Sequence, residues 1–148
     1  MKYGNIIHLG IVVANLKESI GYYESVLGIG PWEIEEPEPF FAQMQVSDPR
    51  GLHIRTATFR GGPCEIELVQ PTGEGPYADW LREKGPSMHH IKFECAEDYD
   101  TETGTISEAS GRPPYLEVRH PEGFPIVAYA DFQKETGLLV EVPGRRDQ

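Results

Sequence analysis

Residues 87–95 read SMHHIKFEC, and the reading of the adjacent pair His89 and His90 decides the fold. In a β-strand alternate side chains point to opposite faces, so His89 sides with Ile91, Phe93 and Cys95, while His90 sides with Lys92 and Glu94. The first row is apolar and suits packing beneath helices, which leaves His90 as a polar residue on the other face. Residues 5–13, NIIHLGIVV, divide in the same way: Ile7, Leu9, Ile11 and Val13 form the more apolar row, and His8 points away from it. Two strands, each with one histidine facing away from the helices, imply that the chain is built twice.

The rest of the chain supports a duplication. After the first strand comes NLKESIGYYESVLGIG, where Asn15 and Glu18 have the form of a capping box. Leu16, Ile20, Tyr23 and Leu27 recur at helical spacing, and Gly28 supplies a stop. WEIEEPEPFF reads as a strand and a loop, and strands follow at about 52–60 and 64–70, joined by Gly61-Gly62-Pro63. YADWLREK, closed by Gly85, is a short linking helix. From Met88 the pattern restarts: HHIKFEC, a helical DYDTETGTISEASG, then strands at YLEVRH, PIVAYADF and LLVEV. Each half therefore reads strand, helix, then three strands.

The repeat has measurable offsets. His8 falls on His90 at a distance of 82 residues along the chain, which also puts Ala14 on Ala96, and Glu67 falls on Glu141 at 74. The expected organisation is one domain over 1–148: a first module of about 5–70, a linker with a short helix over 71–86, a second module of about 87–142, and a tail of 143–148. In CEIELVQ, Glu67 opposes Cys64, Ile66 and Leu68; in LLVEV, Glu141 opposes Leu138, Val140 and Val142. A pseudo-twofold relating the halves then brings two histidines and two glutamates to one place. Charges inside a curved sheet need a partner, and a divalent cation supplies one. Two imidazoles and two carboxylates suit Zn, Ni, Co, Mn or Fe(II).

Composition excludes other classes. The 148 residues carry 39% hydrophobic and 25% charged side chains, the balance of a soluble globular chain. A net charge of −11 disfavours nucleic acid and membrane surfaces as partners and leaves a small molecule. No run reaches the length of a membrane span, and MKYGNIIH lacks the regions of a signal peptide, so the expected compartment is the cytoplasm. Cys64 and Cys95 are too few for a disulfide framework. Arg50, Arg55 and Arg60 are the one group that would form a local positive pocket for an anion.

The run IIHLGIVVANLKESIGYYESVLGI, with GGPCEIELVQP, MHHIKFEC and GLLVEV, resembles the vicinal oxygen chelate superfamily over nearly the whole chain, the tail after Pro143 excepted. That superfamily includes glyoxalase I, methylmalonyl-CoA epimerase, extradiol dioxygenases and the fosfomycin and bleomycin resistance proteins; the segments here are most similar to its epimerase and glyoxalase-like branch. The resemblance implies an α+β fold of two paired βαβββ modules in a cupped, barrel-like mixed sheet, a homodimer, and a metal held by His8, Glu67, His90 and Glu141. It implies an isomerase or lyase that moves a proton next to a carbonyl through a metal-stabilised enolate or enediolate, with Glu141 or Glu67 as base and an acyl thioester or a 2-oxo or 2-hydroxy compound as substrate.

One stretch departs from the epimerase pattern. Where that pattern has a second, non-ligand glutamate, this chain reads SDPRGLHIR, with Asp48 and Arg50 in its place, so a related substrate or a one-base reaction is the simpler expectation. Trp32 and Phe41 are the aromatic residues assigned to the substrate pocket, beside Asp48 and Arg50. Two alternatives stand beside the isomerase: an extradiol-type dioxygenase, which uses two histidines and one carboxylate, and a metal-free drug-binding protein of the bleomycin-resistance type.

Overall fold

The computed structural model describes residues 3–95 and 98–144. Its elements run β1 (Tyr3–Val12), α1 (Leu16–Leu27), β2 (Glu33–Glu35), α2 (Glu38–Phe41), β3 (Gln45–Val46), β4 (Ile54–Phe59), β5 (Glu65–Pro71), α3 (Pro76–Lys84), β6 (Ser87–Cys95), α4 (Tyr99–Ser110), β7 (Leu116–Arg119), β8 (Pro125–Phe132), α5 (Gln133–Thr136) and β9 (Leu138–Pro143). Local chemistry explains the helix ends. Asn15 Oδ1 accepts from the Glu18 amide at 3.0 Å to start α1, and Gly28 ends it at φ 66°, a left-handed turn that suits a residue without Cβ. Asp98 caps α4 in the same way, its Oδ1 accepting from the Thr101 amide at 3.1 Å.

All strands join one mixed, α+β sheet of nine strands in the order β2-β4-β5-β1-β6-β9-β8-β7-β3. β1 and β6 are antiparallel neighbours at its centre, each flanked by a parallel partner, β5 and β9. The sheet must curl, because Ile54 of β4 and Leu116 of β7 belong to one packed cluster, yet on a flat sheet strands so far apart would be separated by about 29 Å. That inner cluster fills one end of the cup with Val12, Val69, Leu139, Tyr129 and, from α3, Tyr77 and Trp80. The outer faces are covered separately. Leu16 and Ile20 of α1 pack on Ala57 and Leu68, and Tyr99 of α4 packs on Ala128 and Val142. No helix among the described residues is long and apolar enough to cross a membrane.

The expected repeat is visible in the strand register. On β1, Gly10 lies level with Glu67 of β5; on β6, Lys92 lies level with Glu141 of β9. Between the central strands His8 faces Lys92 and Gly10 faces His90, two pairings that exchange under the same pseudo-twofold. The match of Ala14 with Ala96 lies outside the described residues.

Three features differ from the sequence expectation. A helical turn, α2, interrupts the Pro-rich loop, and the two-residue β3 pairs with β7 at the far edge of the sheet. The chain between β2 and β4 therefore crosses from one edge of the sheet to the other and returns, carrying Phe41, Met44 and Val46 onto the inner cluster. The third is irregular pairing of β1 with β6, whose register shifts at three places, one of them between Tyr3 and Ile6. Register slips by one residue at Ile7 in β1 and at His89 in β6, so each copy has an extra residue immediately before its histidine.

Candidate metal centre

Four strands position the site: β1 brings His8, β5 Glu67, β6 His90 and β9 Glu141. His8 Nε2 lies 3.0 Å from His90 Nε2 and 3.3 Å from Glu141 Oε2, and His90 Nε2 lies 3.5 Å from Glu67 Oε1. His8, His90 and Glu141 are buried, His90 completely. Glu67 is the most open of the four, its side chain 23% exposed. The structure thus brings together all four residues that the duplication paired.

Gly10 is what makes room. A methyl group added there would overlap the imidazole of His90, which lies across the strand directly over it. Glycine is needed here for close approach of a ring.

The bulge at His89 answers which histidine faces the site. Strict alternation would put the two rings on opposite faces; the extra residue instead turns both toward the inside, where both touch Tyr129. His89 lies flat on Tyr77 at 4.5 Å between ring centres and edge-on to Trp80 at 4.6 Å. Its Nδ1 is 2.8 Å from His90 Nδ1. One of the two nitrogens donates. Burial, then the neighbouring His90 and Lys84 charges, hold the His89 pKa well below the usual imidazole range, so His89 is neutral. The contact at Nδ1 fixes the His90 ring so that its Nε2 faces His8 and Glu67. His89 braces; His90 faces the site.

The charges are divided unequally. Burial lowers the pKa of His8 more than Glu141 and Glu67 raise it. For His90 burial acts in the same direction but is outweighed by the Glu67 hydrogen bond and by the two carboxylate charges, so its pKa is raised. Burial of Glu67 works against ionisation, yet the hydrogen bond from His90 and the charges of His90, His8 and Lys92 keep its pKa below the usual carboxylate range. Beneath them Tyr77 and Tyr129 share a hydroxyl contact of 2.6 Å. Burial, above all, raises both phenols well above their ordinary pKa, and the Glu67 and Glu141 charges add to it. Both stay neutral. Lys92 reaches the rim, with Nζ 3.6 Å from Glu141 Oε2.

The other residues assigned to substrate lie elsewhere. Trp32 packs with Tyr23 and Phe59 in the cluster beneath α1, on the outer face of the sheet, and its indole N–H donates to the Ile29 carbonyl. Phe41 lies against the inner cluster with Phe40 beside it. Arg50 donates to Asp48 and to Asp79 of α3, at 2.9 and 2.7 Å, in an exposed network. Arg55 pairs with Glu36, and Arg60 with Glu33 and Glu65. Each of the three arginines is matched by carboxylates, so they form no common positive pocket. Sequence reasoning missed Tyr77, Tyr129 and Lys92. The signal for Lys92 was present, since it shares the strand face of His90.

The donor set fits a divalent cation. One ligand atom from each of His8, His90 and Glu141 lies within 4.8 Å of the others, with Glu67 adjoining. Two nitrogens bound at about 2.1 Å in neighbouring octahedral positions stand about 3.0 Å apart, the separation between the two Nε2 atoms. Glu141 Oε2 is buried and has no hydrogen-bond partner among the described residues. Its neighbours are His8 Nε2 at 3.3 Å and the Lys92 ammonium at 3.6 Å, and neither makes a hydrogen bond to it, so a bound cation would complete its contacts.

Comparison with known proteins follows the same line. Methylmalonyl-CoA epimerase from Mycobacterium tuberculosis superposes with a TM-score of 0.66 at 21% identity, over 96% of this chain and 88% of that one. The Streptomyces coelicolor methylmalonyl-CoA epimerase in complex with 2-nitronate-propionyl-CoA gives 0.67 at 24%, over 94% and 92%. At such identities the likeness is one of fold. The YqjC protein of Bacillus subtilis, uncharacterized, is 33% identical over 89 residues, which are 60% of this chain and 55% of that relative, so the match spans little more than half its length. Residues 7–114 match the family model of the Glyoxalase/Bleomycin resistance protein/Dioxygenase superfamily, and it is to that superfamily that the chain belongs.

Proposed function

We propose that the protein is a metal-dependent isomerase or lyase that moves a proton on a carbon next to a carbonyl, with His8, His90, Glu141 and Glu67 holding one divalent cation. The convergence of two imidazole nitrogens and a carboxylate within 4.8 Å carries this reading. A cation bound there supplies positive charge where negative charge develops on the carbonyl oxygen, which makes the neighbouring C–H more acidic. The chain's own residues do the rest. Glu67 is more open than Glu141, 23% against 10% of the side chain, so it is the carboxylate that receives the proton. Glu141, between His8 and Lys92, serves as an anchor. His89 fixes the ring of His90. Tyr77 and Tyr129 close the floor and keep water from below. Phe41 packs on the inner cluster that includes Tyr77 and Tyr129, while Trp32 lies in the outer cluster and Arg50 is held by Asp48 and Asp79.

Structural neighbours bound to 2-nitronate-propionyl-CoA or to methylmalonyl-CoA support an acyl thioester as one substrate class; 2-oxo and 2-hydroxy compounds, the other, rest on the family resemblance alone. The test is proton exchange in D2O. Protein loaded in turn with Zn, Ni, Co or Mn should wash deuterium into the α-position of a branched acyl-CoA or a hemithioacetal, and chelation should stop it. Absence of exchange with every metal and both substrate classes would sink the reading. The trio His8, His90 and Glu141 is also the donor set of oxygen-activating Fe(II) sites. Oxygen uptake by the Fe(II)-loaded protein with a catechol, and no α-proton exchange, would decide for that second reading.

A further inference from the structure

The two halves of the cup have different walls. The pseudo-twofold that exchanges β5 with β9 also exchanges β4 with β8, and Thr58 stands level with Glu67 as Tyr129 stands level with Glu141. Thr58 faces into the cup: Ile54, on the same row of β4, belongs to the inner cluster, while Ala57, on the other row, belongs to the cluster beneath α1. Tyr129 fills its side, with its ring against His89 and His90 and its hydroxyl 2.6 Å from that of Tyr77. Threonine is far smaller, so the wall beside Glu67 stands back where the wall beside Glu141 does not. The exposures agree, 23% for the Glu67 side chain and 10% for that of Glu141.

Thr58 also offers an unused group. The residue is 8% exposed, and among the described residues its hydroxyl has no hydrogen-bond partner. A buried hydroxyl in that condition costs free energy that a ligand oxygen recovers. Side chains directly opposite on antiparallel strands have Cβ atoms about 5 Å apart, so an oxygen held by Thr58 lies alongside the Glu67 carboxylate. Thr56, level with Val69, continues the same hydroxyl-bearing row toward the floor. The charges along this wall are negative in excess. β2 sets Glu33 opposite Thr58 and Glu35 opposite Thr56, and Arg60 is shared between Glu33 and Glu65, which leaves more carboxylates than the one guanidinium offsets. Lys92 lies on the other side of the site, beside Glu141. A carboxylate is disfavoured at such a wall and an uncharged oxygen is not.

We propose that Thr58 is a substrate-binding residue that selects compounds carrying an uncharged oxygen, a hydroxyl or a carbonyl, next to their metal-chelating pair. This rests on the proton-transfer reading above and names a feature of its substrate. The Thr58 hydroxyl donates to that oxygen, and the substrate extends over β4 and not over β8, where Tyr129 closes the wall.

The probes are three hydroxamates with one chelating head: glycolohydroxamate, which carries a hydroxyl; propionohydroxamate, its apolar isostere; and malonohydroxamate, which carries a carboxylate. Each is titrated by calorimetry into the zinc-loaded full chain. Wild type should bind glycolohydroxamate about three- to tenfold tighter than propionohydroxamate, the scale of one neutral hydrogen bond, and malonohydroxamate no tighter than propionohydroxamate. Thr58→Val should abolish the preference for glycolohydroxamate and leave propionohydroxamate and zinc affinity unchanged, whereas Thr58→Ser should keep the preference; Thr58→Ala replaces the Val variant if that one is not folded. Thr58→Tyr, which copies the wall of the second half, should weaken all three hydroxamates with zinc affinity retained. An equal preference in wild type and Thr58→Val, tightest binding of malonohydroxamate, no binding of any hydroxamate by the zinc-loaded wild type, or a fall in zinc affinity that accounts for the lost preference overturns the proposal while the metal reading stands. Wild-type protein that takes up no zinc, nickel or cobalt removes both, and the metal titration alone shows it.

Discussion

The β1–β5 pair and the β6–β9 pair have the same register, and β1 and β6 each carry an extra residue just before the histidine, yet the side chains around it differ. In the first pair the bulged residue is Ile7 and the position level with the glutamate is Gly10; in the second they are His89 and Lys92. A duplicated backbone therefore supplies two equivalent candidate ligand positions, His8 and His90. The differences around them set one histidine braced by an imidazole against one that is not, and an empty position against an ammonium. Symmetry places the donors, and departure from symmetry makes the site directional.

The comparison can be broken most severely at the donors. Replacing His90 with Ala should abolish metal uptake within measurable range, a loss beyond the roughly 100-fold that supporting residues cost, as read by metal titration of purified protein. Next in size is Gly10→Ala. Its methyl group must push the His90 ring aside, and overpacking of this kind costs about 1–3 kcal/mol, so both the denaturation midpoint and metal affinity should fall. Alanine at Lys92, the equivalent position, should leave stability nearly unchanged.

The brace sharpens the comparison further. His89→Phe keeps the stacking on Tyr77 and removes the nitrogen that meets His90 Nδ1, so metal affinity should fall about 10- to 100-fold with little loss of stability. Ile7→Val, at the equivalent bulge, should leave metal affinity where it is. A result in which both substitutions weaken the metal equally would remove the assigned difference between the halves.

The smallest expected effect lies outside the repeat. His53 Nδ1 meets Glu38 Oε1 at 2.5 Å, and this hydrogen bond first, then one with the Arg50 carbonyl, raises the His53 pKa. A raised folded-state pKa means stability that is fully present below the unfolded value of about 6.5 and lost as pH rises through the folded one. Thermal midpoints between pH 6 and 9 should therefore fall slightly, by the equivalent of less than about 1 kcal/mol for so exposed a pair, and Glu38→Gln should flatten that slope.

Much of the fold and the candidate site was legible because the relevant signals are local or periodic. Alternation in NIIHLGIVV and CEIELVQ separated the row beneath α1 from the row facing the cup, and that assignment of Ile11, Val13, Ile66 and Leu68 matches the outer cluster. Asn15, Gly28 and Gly85 marked helix ends where the structure has them. Alternation failed at His89, since a bulge shifts phase by one residue and leaves no mark in the composition of the strand. It also gave no warning that Gln45 and Val46 pair with Arg119 and Val118, because a two-residue edge strand is chosen by the partner it finds. Trp32 was assigned to a pocket from its chemistry alone, and aromatic rings suit cores and pockets equally well; here it lies in the outer cluster.

From its own residues the chain determined that it is built twice, and which histidine and glutamate of each copy face away from the helices, because strand periodicity and a fixed offset are properties of a one-dimensional string. Only the tertiary structure decided that His89 turns inward to support His90, that Gly10 leaves room for that ring, and that Lys92 ends beside Glu141. Those three facts depend on the stagger and bulging of the strands about the pseudo-twofold and on contacts of a few ångströms across neighbouring strands, as between Gly10 and His90 or Lys92 and Glu141, which no local rule of sequence encodes.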